Sequence, residues 1–587
     1  MPRRVTSRTI SLALSILVLA AACTNASEGE EEPGFPSAAE AAEAFAAGMT
    51  EGDYDSVVES MRDVTGREWT SLEFGSWLER RLDAGLVSAL RFEVDGEVRE
   101  PEPEEFENGG SPSVEVPYTI TYESEASADP VAQSGDFDLT FDAEEEQWVV
   151  GWSKGLLWPA TPGASRFKVT TKWPRRAAIL DRRGRPLARG PAAERKYPSG
   201  SVGGSLIGHV ETLTKPEAEA RSDGALPGDL VGGSGLEEGL NDRLAGSPGY
   251  RLQLLDSGGR VLEVLGRVAP ERAESVKTTI DIDVQLGAEN AFGDTVGGVA
   301  VIDPRKGDLL AAVGSGAFSP GNYVGATGVE PFNRGLVGRY PPGSSMKVVT
   351  AAAALEEEVV TPETPVTGPK EYQGVRNFES GEFGSIPFAT ATKFSVNTAF
   401  AQVAQKLGAE VMFEYAERFG FNETQNVPLE VATSSFPQPE GAGDLMWASI
   451  GQAQVLATPV QMATVAGTIA KGGKRMDLRV TRDEKPSGER VVSRRTAGQV
   501  ASIMEDVVVG GTGSGARIAG VRVAGKTGTA EVDVDGKRKN HAWFIAFAPV
   551  EAPRVAVAVV AELGGIGGRV AAPLAGQTLI NVLPLIE

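Results

Sequence analysis

Cysteine and histidine are almost absent from this chain. Its 587 residues include one cysteine and two histidines, so no intrachain disulfide is available and stability has to come from packing. The same scarcity excludes a cysteine-rich metal site. His209 and His541 leave little for zinc and offer only two candidate bases for a serine–histidine–aspartate triad. If a serine acts as a nucleophile here, lysine is the obvious base. A basic surface is missing too. Between Thr24 and Val150 there are 33 acidic residues, six arginines and no lysine, whereas residues 151–587 hold 47 charges of each sign and the first 23 residues hold three arginines and no acid. The net charge of −24 therefore belongs to one N-terminal module. With no basic face to neutralise phosphates, nucleic acid is excluded as a partner. The acidic excess reads as a solvated surface rather than a specific site. Long apolar runs are also lacking: Ile10 to Ala22 is shorter than the ~20 residues of a membrane span, follows three arginines and ends in small residues, the pattern of a secretory signal.

The chain is too long for one core, and three or four domains are expected. Ala20-Ala21-Ala22-Cys23 resembles a bacterial lipobox, in which the signal is cut before the cysteine and its thiol carries lipid; the usual leucine is displaced, with Leu19 one place further out. This divides the start into a signal peptide, residues 1–22, and a lipidated Cys23 with an acidic, proline-bearing tether, residues 23–34. Ser37 then reads as the cap of the helical AAEAAEAFAAGM, and SWLERRLDAGL carries a second helical pattern. Strand signals follow, with strict alternation at Val114, Val116, Tyr118, Ile120 and Tyr122, then at Phe137, Leu139 and Phe141, then at Trp148, Val150 and Trp152. Helices followed by a curved antiparallel sheet predict a small α+β domain over residues 35–157. Residues 158–275 are irregular and glycine-rich, and their DRRG and DSGG elements read as hairpin turns. From Val276 to the C-terminus helix and strand alternate.

One stretch raises a chemical question. RYPPGSSMKVVTAAAALEE, Arg339 to Glu357, passes from two prolines and a glycine into a run of helix formers, so a helix is predicted to begin near Ser344. The first turn of a helix presents unpaired amide hydrogens and a positive dipole end, which favour an oxyanion, and Lys347, three residues on, shares the face of Ser344. The bland alternative is a capping serine. A Ser-x-x-Lys tetrad also arises readily by chance: Ser165 to Lys168 is a second one, but it lies in SRFKVTTKW, whose β-branched alternation reads as extended, with neither cap nor helix.

Two further motifs decide between these readings. Ser395-Val396-Asn397 precedes the helical TAFAQVAQKLG and is the sole Ser-x-Asn, and Lys526-Thr527-Gly528 follows VRVAG and is the sole Lys-Thr-Gly. The ordered set resembles the penicillin-binding proteins and serine β-lactamases. YPPGSSMK, GQAQVLATPVQMA, AGKTGTAE and HAWFIAFAP together resemble the transpeptidase domain of the class B high-molecular-weight penicillin-binding proteins. ILDRRGRPLA and SGLEEGLNDRLAGSPG are similar to that family's pedestal, or dimerisation, domain. The acidic module resembles the NTF2-like N-terminal domain of some Gram-positive members, and with the lipobox the chain is most similar to actinobacterial lipoprotein members. Ser345 and Met346 depart from a frequent threonine and phenylalanine, positions that should not touch the chemistry. No segment resembles the glycosyltransferase domain of class A members.

The resemblance implies a multidomain α+β protein: a C-terminal transpeptidase-like domain, residues 276–587, with an antiparallel sheet flanked by helices, after an irregular β-rich pedestal, residues 158–275. It implies a peptidoglycan D,D-transpeptidase working without cofactor or metal through an acyl-enzyme on Ser344, with Lys347 as first-ranked base and Ser395 relaying a proton to the leaving amine. Asn397 would orient the substrate amide. Lys526, Thr527 and Thr529 would hold the terminal carboxylate, and the backbone amides of Ser344 and Thr529 would form the oxyanion hole. Gly525 and Gly528 would let an extended peptide approach as an added strand. Lys347 acts as a base only when neutral, so burial and the like charge of Lys526 should lower its pKa. His541 and Glu531 are expected to be structural. Expected partners are stem peptides ending in D-alanyl-D-alanine, β-lactams, the cytoplasmic membrane through the Cys23 lipid, on its outer face, and a glycan polymerase of division or elongation. A D,D-carboxypeptidase, a β-lactamase, a non-catalytic scaffold and a β-lactam sensor remain alternatives.

Overall fold

A computed structural model describes residues 35–586, apart from 222, 224, 329 and 330. The signal peptide and the tether with Cys23 lie outside the described residues. Among the described residues no helix is long and apolar enough to cross a membrane. The chain forms two compact units, one of residues up to 168 with 253–265, the other of residues 169–252 with 266–587.

In the first unit, α1 (Ala38–Glu51) starts where the Ser37 hydroxyl accepts the Glu40 N–H at 3.2 Å, and stops at Gly52, whose φ of 77° a side chain rarely adopts. Helices α2 (Tyr54–Glu59) and α3 (Ser71–Ala84) follow, the latter opened by a Thr70–Glu73 capping box. Strands β1 (Met61–Asp63), β2 (Val87–Val94), β3 (Ser113–Ser124), β4 (Val131–Asp142) and β5 (Gln147–Trp152) form one sheet in the order β1-β5-β4-β3-β2. The alternating residues of β3, Val114 through Tyr122, are all buried, as are Phe137, Leu139, Phe141, Trp148, Val150 and Trp152. Phe45 of α1 meets Phe92 edge-on at 5.7 Å. The sheet departs from the expected wholly antiparallel one: β1 lies between the helices and pairs parallel to β5. Three residues are too few to show an alternation, so this strand had no signal.

The irregular segment of the second unit is built from turns around buried charge. Asp181 closes the DRRG turn by accepting the backbone N–H groups of Arg183 and Arg185 at 2.9 and 2.8 Å, and Gly184 has a φ of 89°. Deeper, Glu237 accepts Arg176 Nε at 2.7 Å and Arg195 Nε at 2.6 Å, and Arg176 also donates to Asn241 Oδ1 at 2.9 Å. All three charged side chains are at most 2% exposed. Such a triad holds its segments in register only while complete, because a lone guanidinium there has no water to turn to. Glu237→Gln is expected to cost about 3 kcal/mol of stability. Urea unfolding of the soluble chain checks this, and an unchanged midpoint contradicts it.

The remainder of that unit surrounds a five-stranded antiparallel sheet ordered Asp308–Gly314, Gly297–Asp303, Val555–Ala561, Lys537–Ala548 and Ala524–Val534. Both faces are buried. Val299, Val301, Phe544 and Val557 point to a layer with helices Ile282–Phe292 and Ala571–Val582, while Ala300, Ile302, Trp543 and Ala558 point to one with Lys347–Glu356 and Pro459–Ala470. This is the expected helix-flanked antiparallel sheet. It leaves Ala524–Val534 as an edge strand beside the turn Gly343–Met346 that carries Ser344.

Candidate active site

The turn that carries Ser344 is held by two bonds from outside it and one within it. Trp543 Nε1 donates to the Pro341 carbonyl at 2.9 Å, Gly343 N–H to the Gly451 carbonyl at 2.8 Å, and the Ser345 hydroxyl to the Pro342 carbonyl at 2.6 Å. Gly343 has a φ of 52°, and a Cβ there would stand 2.8 Å from the Thr529 carbonyl oxygen. The chain then makes a 3₁₀ turn, Gly343–Met346, before the α-helix Lys347–Glu356. Ser345 is buried and bonded, whereas Ser344 is only half-buried and its hydroxyl has no hydrogen-bond partner among the described residues. Of the two serines, Ser344 is therefore the one with an uncommitted hydroxyl among the described residues.

Lys347 is wholly buried and its amine contacts three oxygens: the Ser395 carbonyl at 2.7 Å, the Ser395 hydroxyl at 3.2 Å and Asn397 Oδ1 at 2.6 Å. The amine of Lys526, equally buried, reaches the same Ser395 hydroxyl at 2.9 Å and the Thr527 carbonyl at 3.0 Å. One hydroxyl thus sits between two amines. Burial, then the like charge of Lys526, holds the Lys347 amine well below its ordinary pKa, and burial pushes Lys526 down to about 7. Both causes were expected for Lys347. Its expected contact with Ser344 is absent: no hydrogen bond joins the two among the described residues, because the lysine's donors are taken up by Ser395 and Asn397. Ser395 itself has a φ of 59°, strained for a residue with a side chain, and Asn397 Nδ2 donates to the Arg376 carbonyl at 2.8 Å.

A pH dependence follows from Lys526. Between about pH 7 and its ordinary 10.5 the unfolded chain binds a proton that the folded one lacks, so stability rises with pH across that window and the cost of burying the charge is greatest below it. Lys526→Met is expected to stabilise the fold by about 3 kcal/mol at pH 6 and to lose that advantage towards pH 10. Melting midpoints at the two pH values check this, and an equal shift at both contradicts it.

The Lys-Thr-Gly-Thr run lies on the edge strand Ala524–Val534, whose free side has no sheet neighbour. Thr527 Oγ1 and Thr512 Oγ1 are 2.7 Å apart, and Thr529 Oγ1 accepts the Gly567 N–H at 3.2 Å. The glycines have a packing reason beside the peptide approach expected of them. A Cβ on Gly528 would stand 2.6 Å from the Pro342 carbonyl oxygen, and one on Gly525 2.5 Å from the Phe544 ring. They make room for the protein's own packing, and Gly528 brings the nucleophile turn against the strand. That close approach places the Ser344 turn beside the Thr529 peptide.

His541 Nδ1 accepts the Leu563 N–H at 3.1 Å and its ring meets Tyr340 at 5.3 Å, while Glu531 is exposed and pairs with Arg538 at 3.2 Å. Neither touches the lysines. Ser165 and Lys168 lie on or beside the strand Arg166–Lys172, with no helix. Among the described residues no cluster of histidine, cysteine and carboxylate residues could hold a metal. Sequence reasoning missed Thr512, Gly567 and the Arg376 carbonyl, which carry no motif and meet the site only through the fold.

Comparison with known proteins agrees with this geometry. Residues 297–579 match the family described as "Penicillin binding protein transpeptidase domain", and residues 190–278 match "Penicillin-binding Protein dimerisation domain". The chain is 34% identical over 364 residues to peptidoglycan D,D-transpeptidase PbpA of Mycolicibacterium smegmatis, covering 53% of this chain and 73% of that protein. It is 30% identical over 439 residues to peptidoglycan D,D-transpeptidase MrdA of Acinetobacter baumannii, covering 64% of each, slightly under two thirds of that relative's length. A solved acyl-enzyme complex of penicillin-binding protein A from Mycobacterium tuberculosis superposes with a TM-score of 0.56 at 27% identity, over 70% of this chain and 98% of that one.

Proposed function

The chain belongs to the class B penicillin-binding proteins, and from that premise we propose that it is a serine-type peptidoglycan D,D-transpeptidase with Ser344 as its nucleophile. The observation that carries this is the half-buried Ser344, whose hydroxyl has no hydrogen-bond partner among the described residues, on a turn packed against the edge strand that bears Lys526, together with two buried amines that share the Ser395 hydroxyl. A stem peptide lies along the edge strand as an added strand, its terminal carboxylate towards Lys526 and Thr529. Thr527, paired with Thr512, holds the strand end.

Neutral Lys347 takes the Ser344 proton as Ser344 Oγ bonds to the carbonyl carbon of the penultimate D-alanine. The tetrahedral oxyanion is met by the Ser344 and Thr529 N–H groups, each worth ~3 kcal/mol. As the carbon–nitrogen bond breaks, the Ser395 hydroxyl passes a proton to the departing D-alanine amine. Asn397 orients Lys347 through its carbonyl and the substrate amide through its remaining N–H. An amine of a neighbouring strand then attacks the acyl-enzyme and restores the serine. A β-lactam acylates the same hydroxyl.

The same reading assigns residues 35–157 to an NTF2-like domain, 158–275 to the pedestal and 276–587 to the transpeptidase domain. It anchors the chain to the outer face of the cytoplasmic membrane through lipid on Cys23, near a glycan polymerase. Cys23→Ala is expected to release the protein into the medium or leave it unprocessed, as fractionation and immunoblotting would read. A mature-sized species that stays in the membrane contradicts the anchor. The activity is tested with a peptide ending in D-alanyl-D-alanine and a D-amino acid acceptor. Transfer to the acceptor supports the proposal; release of D-alanine with hydrolysis alone makes the enzyme a carboxypeptidase, and no turnover favours the scaffold.

A further inference from the structure

A groove of about 540 Å³ opens where the turn Ser201–Ser205, the residues after helix Ile282–Phe292 and the strand end at Val313–Phe318 meet. Gly204 seals its floor, since a Cβ there would stand 1.8 Å from the Phe318 carbonyl oxygen. The lining of the groove is about half polar, and much of that polar half is uncommitted among the described residues. The side chains of Ser201, Asp294, Thr295 and Ser315 have no hydrogen-bond partner among the described residues. Glu289 commits one carboxylate oxygen to Gly203 N–H at 2.8 Å and Gln285 at 2.9 Å, leaving the other free. Arg334, also lining the groove, is already paired to Glu562 at 2.8 Å. One wall is aromatic: Phe318 stacks flat on Tyr323 with centroids 4.8 Å apart.

Hydroxyls, spare carboxylate acceptors and an aromatic wall, with Arg334 neutralised by Glu562, suit a ligand that presents hydroxyl and amide donors and rule against an anion. The position narrows the class. Along one register row of the sheet Thr529 pairs with Ala542, Ala542 with Ala561, Ala561 with Gly297, and the Ser315 N–H donates to the Gly297 carbonyl at 3.1 Å. Four strand spacings of ~4.8 Å put the groove about 19 Å from the reactive edge. A substrate that reached both would span the length of about six extended residues, well beyond a D-alanyl-D-alanine terminus alone.

We propose that this groove binds the saccharide backbone from which the stem peptides hang, as an accessory site that seats the glycan while its peptide lies at Ser344. The proposal rests on the transpeptidase reading for the presence of that polymer. Its probe is the β-1,4-linked N-acetylglucosamine tetramer, titrated calorimetrically into the soluble chain truncated after Cys23, with penicillin acylation followed in the same samples. The expected result is saturable binding, weakened at least about tenfold by Ser201→Trp, which fills the groove from its exposed rim, and by Phe318→Ala, while acylation stays within about twofold. Should Phe318→Ala fail to fold, Ser201→Trp decides alone. No saturable binding to an acylatable wild type, tetramer binding to Ser201→Trp as to the wild type, or binding abolished by prior acylation overturns the groove site. A wild type that penicillin does not acylate counts against the transpeptidase reading instead.

Discussion

Ser344→Ala is expected to lower peptide turnover by about 10⁵-fold or more, to the level left by binding and the oxyanion site alone. Neither Ser345 nor Ser395 can take its place. Ser345 is buried and its hydroxyl is spent on the Pro342 carbonyl, and the Ser395 hydroxyl is held between the two lysine amines. Because serine and lysine act as one unit, Ser344→Ala combined with Lys347→Ala should be little worse than Ser344→Ala alone. Turnover of a D-alanyl-D-alanine peptide by the three variants checks this. A Ser344→Ala variant that keeps a hundredth of the wild-type rate, or losses that add, would remove Ser344 from the chemistry.

Lys347→Ala should slow acylation by about 10⁴-fold, the upper range for a positioned general base. The wild-type pH profile carries the sharper information. Protonated Lys347 cannot accept the serine proton, so the acylation rate should rise with pH through the lysine's lowered pKa and then level off. The like charge of Lys526 is one cause of that lowering. Lys526→Met should therefore move the rising limb to higher pH, and Lys347→Ala should abolish the limb altogether. Stopped-flow acylation by a chromogenic cephalosporin between pH 5 and 9 reads both. A limb that persists in Lys347→Ala, or one unmoved in Lys526→Met, contradicts the assignment of the base.

The elements legible from sequence were those whose cause is local. Ser37 caps its helix through a residue three positions away, and the alternation of Val114 to Tyr122 marks which face of one strand is buried. Ser344, Lys347, Ser395, Asn397 and Lys526 could be named because each sits in a short pattern. Their contacts could not. Lys347 bonds to groups 48 and 50 positions away, and these rather than Ser344 occupy its amine. Gly528 is a glycine because Pro342 and Trp543 crowd it, a reason visible only once the nucleophile turn is packed on the edge strand. The Arg176–Glu237–Arg195 triad joins charges 42 and 61 positions apart, and nothing in the composition distinguishes them from surface charges.

The central claim is that Ser344 forms the acyl-enzyme. Intact-mass analysis of the soluble chain after incubation with benzylpenicillin, beside a Ser344→Ala control, tests it most directly. The expected result is one stable adduct on the wild type, mapped to the peptide containing Arg339 to Lys347, and none on the control. No adduct on the wild type, or an equal adduct on the control, would contradict it.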